Sequence, residues 1–278
     1  MIAWMLDNGA IVRFTAIGSL FLILLAIQFR MPTRGEPFSA KRYLRNLSLP
    51  LISALIVYLL LPLTAVSFAA AASDLQLGLF NHLDWPLALE FTITIIALDL
   101  AIYWQHRWMH WVPWLWRIHR LHHSDTNFEL SMGLRFHPFE IVLSLLYKCL
   151  VIAALGAAPI AVLGYEVLLA AFALFSHADI AIPQRWDRQL RKLVITPDWH
   201  RAHHSIHRAE TDSNYGNLLS IWDRLFVSVT EQPRDGHRQM QIGLNQFRDE
   251  ASQRLPAMLL LPFVNDHTPS KEQVNPHA

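Results

Sequence analysis

Residues 10–29 (AIVRFTAIGSLFLILLAIQF) and 49–72 (LPLISALIVYLLLPLTAVSFAAAA) form two long, nearly uninterrupted apolar runs. A hydrocarbon core is crossed by roughly 20 helical residues, and in lipid every backbone N–H and C=O must find its partner within the protein. These runs therefore restrict the chain to membrane-crossing helices. A third run, 86–105 (PLALEFTITIIALDLAIYWQ), fits the same length although it carries Glu90 and Asp99. Glu90 lies near one end, and Asp99 can face the protein interior. Region 138–180 is apolar but interrupted by Ala-Pro at 158–159 and by Gly164, which reads as two helices folded as a hairpin. The expected fold is an all-α integral membrane protein with about four transmembrane helices, one pair of them a hairpin, beneath a histidine-rich cytosolic helical cap.

Charge sets the orientation. Arg30, Arg34, Lys41, Arg42 and Arg45 crowd the first loop, and no Lys or Arg follows until Arg107. Cytoplasmic loops are enriched in these residues, so the loop bearing Asp74 and Asp84 points away from the cytoplasm and the histidine-rich part lies on the cytoplasmic side. The location implied is an integral membrane, the inner membrane of a bacterium or the endoplasmic reticulum of a eukaryote. With a net charge of +1 and its basic residues in short blocks beside apolar runs, the chain offers no nucleic-acid surface. Asp7 stands where a cleaved signal would carry positive charge, so the N-terminus reads as an anchor. RWDRQLRKL at 185–193 suits a helix at the headgroup level or a solvated basic helix. From Asn265 onward the chain is polar and expected to be disordered.

The chemistry lies in histidine, with 15 residues against a single cysteine, Cys149. One cysteine excludes an internal disulfide, a Cys-ligated cluster and a Cys-x-x-Cys zinc site. His106 and His110 (HRWMH) share a helical face at spacing four. HRLHH presents His119, His122 and His123; HRAHH repeats the pattern with His200, His203 and His204. These eight histidines exceed the needs of one zinc site, so two metals fit better than a pH-sensing cluster or a metal store. Imidazole suits zinc, copper, iron and nickel. Dioxygen chemistry on a hydrocarbon chain at a membrane surface favours iron, with zinc as the substitute. There is no Glu-x-x-His pair and no His-Glu-x-x-His motif.

The order HRWMH, HRLHH, HRAHH, with DLAIYWQHR before the first box and NYGNLLSIWDRLF after the last, resembles the fatty acid hydroxylase superfamily, also called the sterol desaturase family. The resemblance covers about residues 92–230. It implies anchor helices over 1–91, a catalytic domain over 92–235 and a C-terminal segment over 236–278. It also implies two iron ions held by ten ligands: the eight box histidines plus His137 in RFHPFE and His177 in FSHADI. Asp99 and Asp198, followed by Glu140, are the candidates to orient ligand N–H groups. Asn214, Tyr215 and Asp223 match the family's NYG and WDR elements as supports.

The activity implied is O2-dependent hydroxylation or desaturation of a C–H bond in a lipid: fatty acyl, sterol, ether lipid or carotenoid. No nucleotide, flavin or haem motif occurs, so electrons come from outside, from a ferredoxin or a cytochrome b5-like protein. Alternatives are an ether-lipid oxygenase of the alkylglycerol monooxygenase type using tetrahydropterin, a non-catalytic lipid-binding paralogue, and a zinc hydrolase built on the same histidines.

Overall fold

The computed structural model describes residues 1–61 and 63–265. A short helix α1 (Ile2–Asp7) leads into α2 (Gly9–Arg30), which takes up the whole first apolar run. Helix α3 (Ala40–Leu60) starts where the Ser39 hydroxyl accepts from the Arg42 N–H, and it ends at Leu61, whose backbone is extended (φ −135°, ψ 83°). Leu61 precedes Pro62 in the sequence, and a residue before proline is pushed out of the helical region. Thr64 and Ser67 then cap one another to start α4 (Ala65–Asp74). The continuous span expected over 49–72 is thereby corrected. Its first part belongs to a helix that begins nine residues earlier, and its second part is a separate short helix.

Helix α5 (Leu87–Trp111) carries the third run through the first histidine box. Val112 leaves the helical region and Pro113 occupies the first turn of α6 (Pro113–His123), so the chain bends between the first and second boxes. Helices α7 (Pro138–Leu155) and α8 (Pro159–His177) form the expected hairpin, turned at Gly156 in the left-handed region (φ 71°). A Cβ on Gly78 would lie 2.1 Å from the Gly156 nitrogen, so this crossing of two backbones requires glycine. Smaller helices follow, including α9 (Gln184–Leu190) and α10 (Pro197–His203). Among the described residues there is no β-strand, only isolated bridges at Val194–Leu219 and Ser205–Ile242.

Among the described residues, α2, the α3–α4 segment, α5, α7 and α8 are long and apolar enough to cross a membrane by length and composition, five segments where about four were expected. Helix α5 packs on α6, α7 and α8, while α2 lies on α8 and α4 wedges against both arms of the hairpin. Leu98, Leu145, Ile152, Val162 and Tyr165 join Ala65 and Ala69 in the main core. The outer surface is apolar as well: Phe14, Leu22, Leu51, Leu55, Tyr58 and Leu150 are all exposed. This inverts the pattern of a water-soluble protein, whose exposed apolar patches stay small.

The topology brings the chemistry to one end. Helix α5 carries His110 in its last turn and α8 finishes at His177 there, while α7 starts there after His137. The loop after Asp74 packs through Gly78 against Gly156, at the opposite end of α7. Over 185–193 the helix spans only Gln184–Leu190, with Trp186, Leu190 and Leu193 exposed and Asp187 turned inward. The tail expected to be disordered lies, from residue 266, outside the described residues.

Candidate metal centre

A residue three positions along a helix lies about 60° to one side of its starting point, and one four positions along lies about 40° to the other. Each repeated box therefore points its histidines in two directions. His106, His110, His119, His123 and His203 form one group, and His122, His177, His200 and His204 form a second; within each group the ligand nitrogens lie within 4.8 Å of one another. Both copies of the repeat divide between the two groups. His119 and His123 join the first while His122 joins the second, and His203 joins the first while His200 and His204 join the second. The groups interlock, with the His123 and His204 rings stacked at 4.6 Å.

In the four-membered group the Nε2 atoms meet directly. His177 Nε2 lies 3.1 Å from His122 Nε2, 3.1 Å from His204 Nε2 and 3.0 Å from His200 Nε2, and the last two are 3.2 Å apart. Each contact between neutral rings could be satisfied by only one shared proton, and the three contacts of the His177, His200 and His204 triangle cannot all be satisfied in that way. Nitrogens held about 2.0–2.1 Å from a common ion lie roughly 3–3.4 Å apart, so a cation matches this spacing. In the five-membered group, the Nε2 atoms of His106, His110, His119, His123 and His203 are all buried and, among the described residues, without a hydrogen-bond partner. Orphaned buried nitrogens are costly, and five that converge fit a metal.

In five of the nine rings the opposite nitrogen is held in place. His106 Nδ1 meets the Tyr215 carbonyl at 2.7 Å, His203 Nδ1 the Ser213 carbonyl at 2.6 Å, and His177 Nδ1 the Ala173 carbonyl at 2.6 Å. An N–H donated there fixes the tautomer and leaves Nε2 with its lone pair facing the cluster. Two carboxylates act likewise: Glu140 Oε1 lies 2.8 Å from His119 Nδ1, and Asp212 Oδ1 lies 3.2 Å from His110 Nδ1. Burial, reinforced by the neighbouring imidazoles, holds His122, His123, His200 and His204 well below the ordinary histidine range. They are neutral at physiological pH, the form that binds metal.

The geometry places three of the expected residues away from both groups. His137 belongs to neither group. Its Nδ1 accepts from the Phe139 N–H at 3.1 Å and its Nε2 meets the Leu259 carbonyl at 3.0 Å, so it caps α7 and ties it to the C-terminal helices. Asp99 accepts from the backbone N–H groups of Leu218 and Leu219 and from Trp222 Nε1. Asp198 pairs with Arg201. Of the three carboxylates considered, Glu140 alone meets a box histidine, and Asp212 was not foreseen.

The supports are built as anticipated. Asp223 accepts from the N–H groups of Tyr215 and Gly216, from Trp199 Nε1 and from the Ser228 hydroxyl. Asn214, with a left-handed backbone (φ 53°), donates to the Trp199 and Thr230 carbonyls. Together they fix the segment whose Ser213 and Tyr215 carbonyls orient His203 and His106. With so much support around it, Glu140→Gln is expected to leave the fold intact. Loss of the charge behind His119 should weaken metal binding at the five-histidine group about 10–100-fold, as read by competition with a chelator.

Both groups border a cavity of about 380 Å³ that reaches from His106, His119, His122, His177 and His200 along α7 and α8. Its walls are mostly apolar, among them Ile17, Ile102, Leu134, Phe136, Ile141 and Leu169.

The architecture is that of an all-α integral membrane protein carrying a two-group histidine centre at one end of its helix bundle. Residues 91–228 match the family model described as fatty acid hydroxylase, and the chain belongs to that family. It is 30% identical to the ornithine lipid hydroxylase OlsE of Rhizobium tropici over 54% of this chain and 45% of that protein. Human alkylglycerol monooxygenase is 30% identical over 53% of this chain and 32% of its own length. The Delta(7)-sterol 5(6)-desaturase erg3B of Aspergillus fumigatus is 27% identical over 56% of this chain and 42% of its own. This chain thus spans less than half the length of these curated relatives. No solved structure gives a significant match.

Proposed function

We propose that the chain is a membrane-bound di-iron oxygenase that hydroxylates or desaturates a C–H bond of a lipid, using dioxygen and electrons from a separate donor. The observation that carries this reading is the convergence of nine histidines into two ligand groups beside an apolar cavity between membrane-type helices. Two iron ions held by these groups would supply the redox chemistry that such a C–H bond requires. Zinc fits the same nitrogens, and metal content together with reductant dependence separates the two. The names of the matched relatives, which act on ornithine lipids, alkylglycerols and sterols, support a lipid substrate. The matched alkylglycerol monooxygenases give an ether lipid, with tetrahydropterin as reductant, the place of second reading.

The chain's own contribution is position and exclusion of water. Carbonyls of Ser213, Tyr215 and Ala173 and the carboxylates of Glu140 and Asp212 hold the rings so that Nε2 faces the centre. The apolar walls keep a lipid chain dry beside the histidines. The cluster of Arg34, Lys41, Arg42 and Arg45 near the histidine end supports a cytoplasmic placement of the centre.

The test is lipid mass spectrometry on membranes from cells grown under isotopically labelled dioxygen, comparing wild type with His203→Ala. A lipid carrying label only with the wild type is expected for hydroxylation. A lipid that loses two hydrogens without label identifies desaturation. Identical lipids in both strains, with metal loaded and a donor supplied, would overturn the proposal.

A further inference from the structure

The cavity has a second chemical end. Arg13 on α2, Lys148 on α7 and Glu166 on α8 line it together with the histidines. Glu166 lies between the cations, 2.5 Å from Arg13 and 3.3 Å from Lys148. All three sit within membrane-type helices, where ionisable groups are expensive and mark function more often than they provide stability. One carboxylate cannot balance two cations, so the trio carries one uncompensated positive charge. Hydrogen bonding points the same way. A lysine ammonium has three donors and an arginine guanidinium five, yet among the described residues each of these side chains bonds to Glu166 alone. Lys148 is buried all the same, at 9% exposure.

Two helix faces join this trio to the histidines. On α7, Glu140, Ser144 and Lys148 follow at intervals of four and all line the cavity, with Glu140 bonded to His119. On α8, Glu166, Ala170, Ala173 and His177 share the facing row, and the two alanines leave the space a chain would occupy. At 1.5 Å per residue the cationic end lies about 12 Å from the histidine end along α7 and about 16 Å along α8. An extended hydrocarbon chain with bonds of about 1.5 Å covers that distance with on the order of ten carbons.

We propose that Arg13 and Lys148 form an anion-binding subsite that holds the acidic group, carboxylate or phosphate, of a chain-like lipid, and that the length of the two helix faces selects which carbon lies beside the histidines. The inference rests on the oxygenase reading for the word substrate, but the subsite itself is tested by binding alone. Glu166 sets the geometry of the two cations and tempers their charge.

The experiment uses the full metal-loaded chain in detergent and compares palmitic acid, hexadecyl phosphate and methyl palmitate by displacement of a fluorescent fatty acid. The wild type is expected to bind at least one of the two acids about 10-fold more tightly than the ester, as charge-assisted hydrogen bonds imply; which acid binds names the group. Lys148→Gln and Arg13→Gln should each remove most of that preference and leave ester affinity and metal content unchanged. Glu166→Gln should keep or raise acid affinity, because it frees the cations. A salt-bridged strut predicts the opposite, with Glu166→Gln as damaging as Lys148→Gln. Equal affinity for acid and ester in the wild type, or loss of acid binding in Glu166→Gln, would overturn the proposal. Should the labelled-dioxygen experiment fail, this binding preference would stand or fall independently, since it needs neither oxygen nor electrons.

Discussion

Replacing His204 by alanine is expected to leave about one metal ion per chain where the proposed centre of the wild type would hold about two, and to lower turnover by more than about 100-fold. His204 Nε2 is within 3.2 Å of both His177 and His200, so its loss opens the four-histidine group, which has no spare ligand. The five-histidine group does not use His204 and should stay loaded. A factor above about 100 is expected because removing a mere orienting partner of a ligand already costs 10–100-fold. Two controls separate ligand loss from damage to the fold. His207→Ala removes a half-buried residue paired with Asp235 at 2.6 Å and should change neither metal nor turnover. His137→Ala should keep both ions while lowering stability by about 1 kcal/mol, the usual cost of a lost helix cap. Metal analysis by mass spectrometry on the purified variants reads all three. Loss of an ion in His137→Ala would restore that residue to the ligand set.

That contrast shows where the sequence speaks. Spacings of three and four place histidines on one side of a helix, so the three boxes were legible as a metal centre without coordinates. The split within each repeated box follows from the same spacings, but which boxes share a group does not, because it depends on how α5, α6 and α10 cross, and crossing angles are set by packing. The capping contact of His137 has a local signal in the sequence. The residue directly precedes Pro138 and an apolar run, the pattern of a helix start, and its ring does what a capping side chain does. Asp212 had no such signal: it is 102 residues from His110, and only the fold brings them within 3.2 Å. The second span was overextended because apolar composition hid Pro62, whose effect on Leu61 is a local rule that outranks hydropathy. Asp99 is a candidate to orient a ligand N–H by residue type, whereas in the fold the buried donors of the 218–222 segment occupy its oxygens.

Asp99→Asn accordingly predicts a large effect by an indirect route. The side chain is fully buried, and its two oxygens accept from Leu218 N, Leu219 N and Trp222 Nε1 at 3.3, 3.1 and 2.8 Å. An amide keeps the shape but offers one oxygen and turns an NH2 group toward donors, leaving at least one buried N–H unpaired. Bonds to a charged acceptor contribute about 1.5–3 kcal/mol each, and an orphaned buried donor costs about 1–3 kcal/mol, so a loss of about 3 kcal/mol in stability is expected. The segment released is the continuation of the one whose Tyr215 carbonyl orients His106. Metal should therefore leave the five-histidine group more readily while the four-histidine group keeps its ion, the reverse of the His204→Ala pattern. Thermal unfolding combined with chelator competition distinguishes this from a direct ligand role. If Asp99→Asn lost metal with unchanged unfolding temperature, the carboxylate would have to act on the centre itself, and the anchoring role derived from its three donors would be wrong.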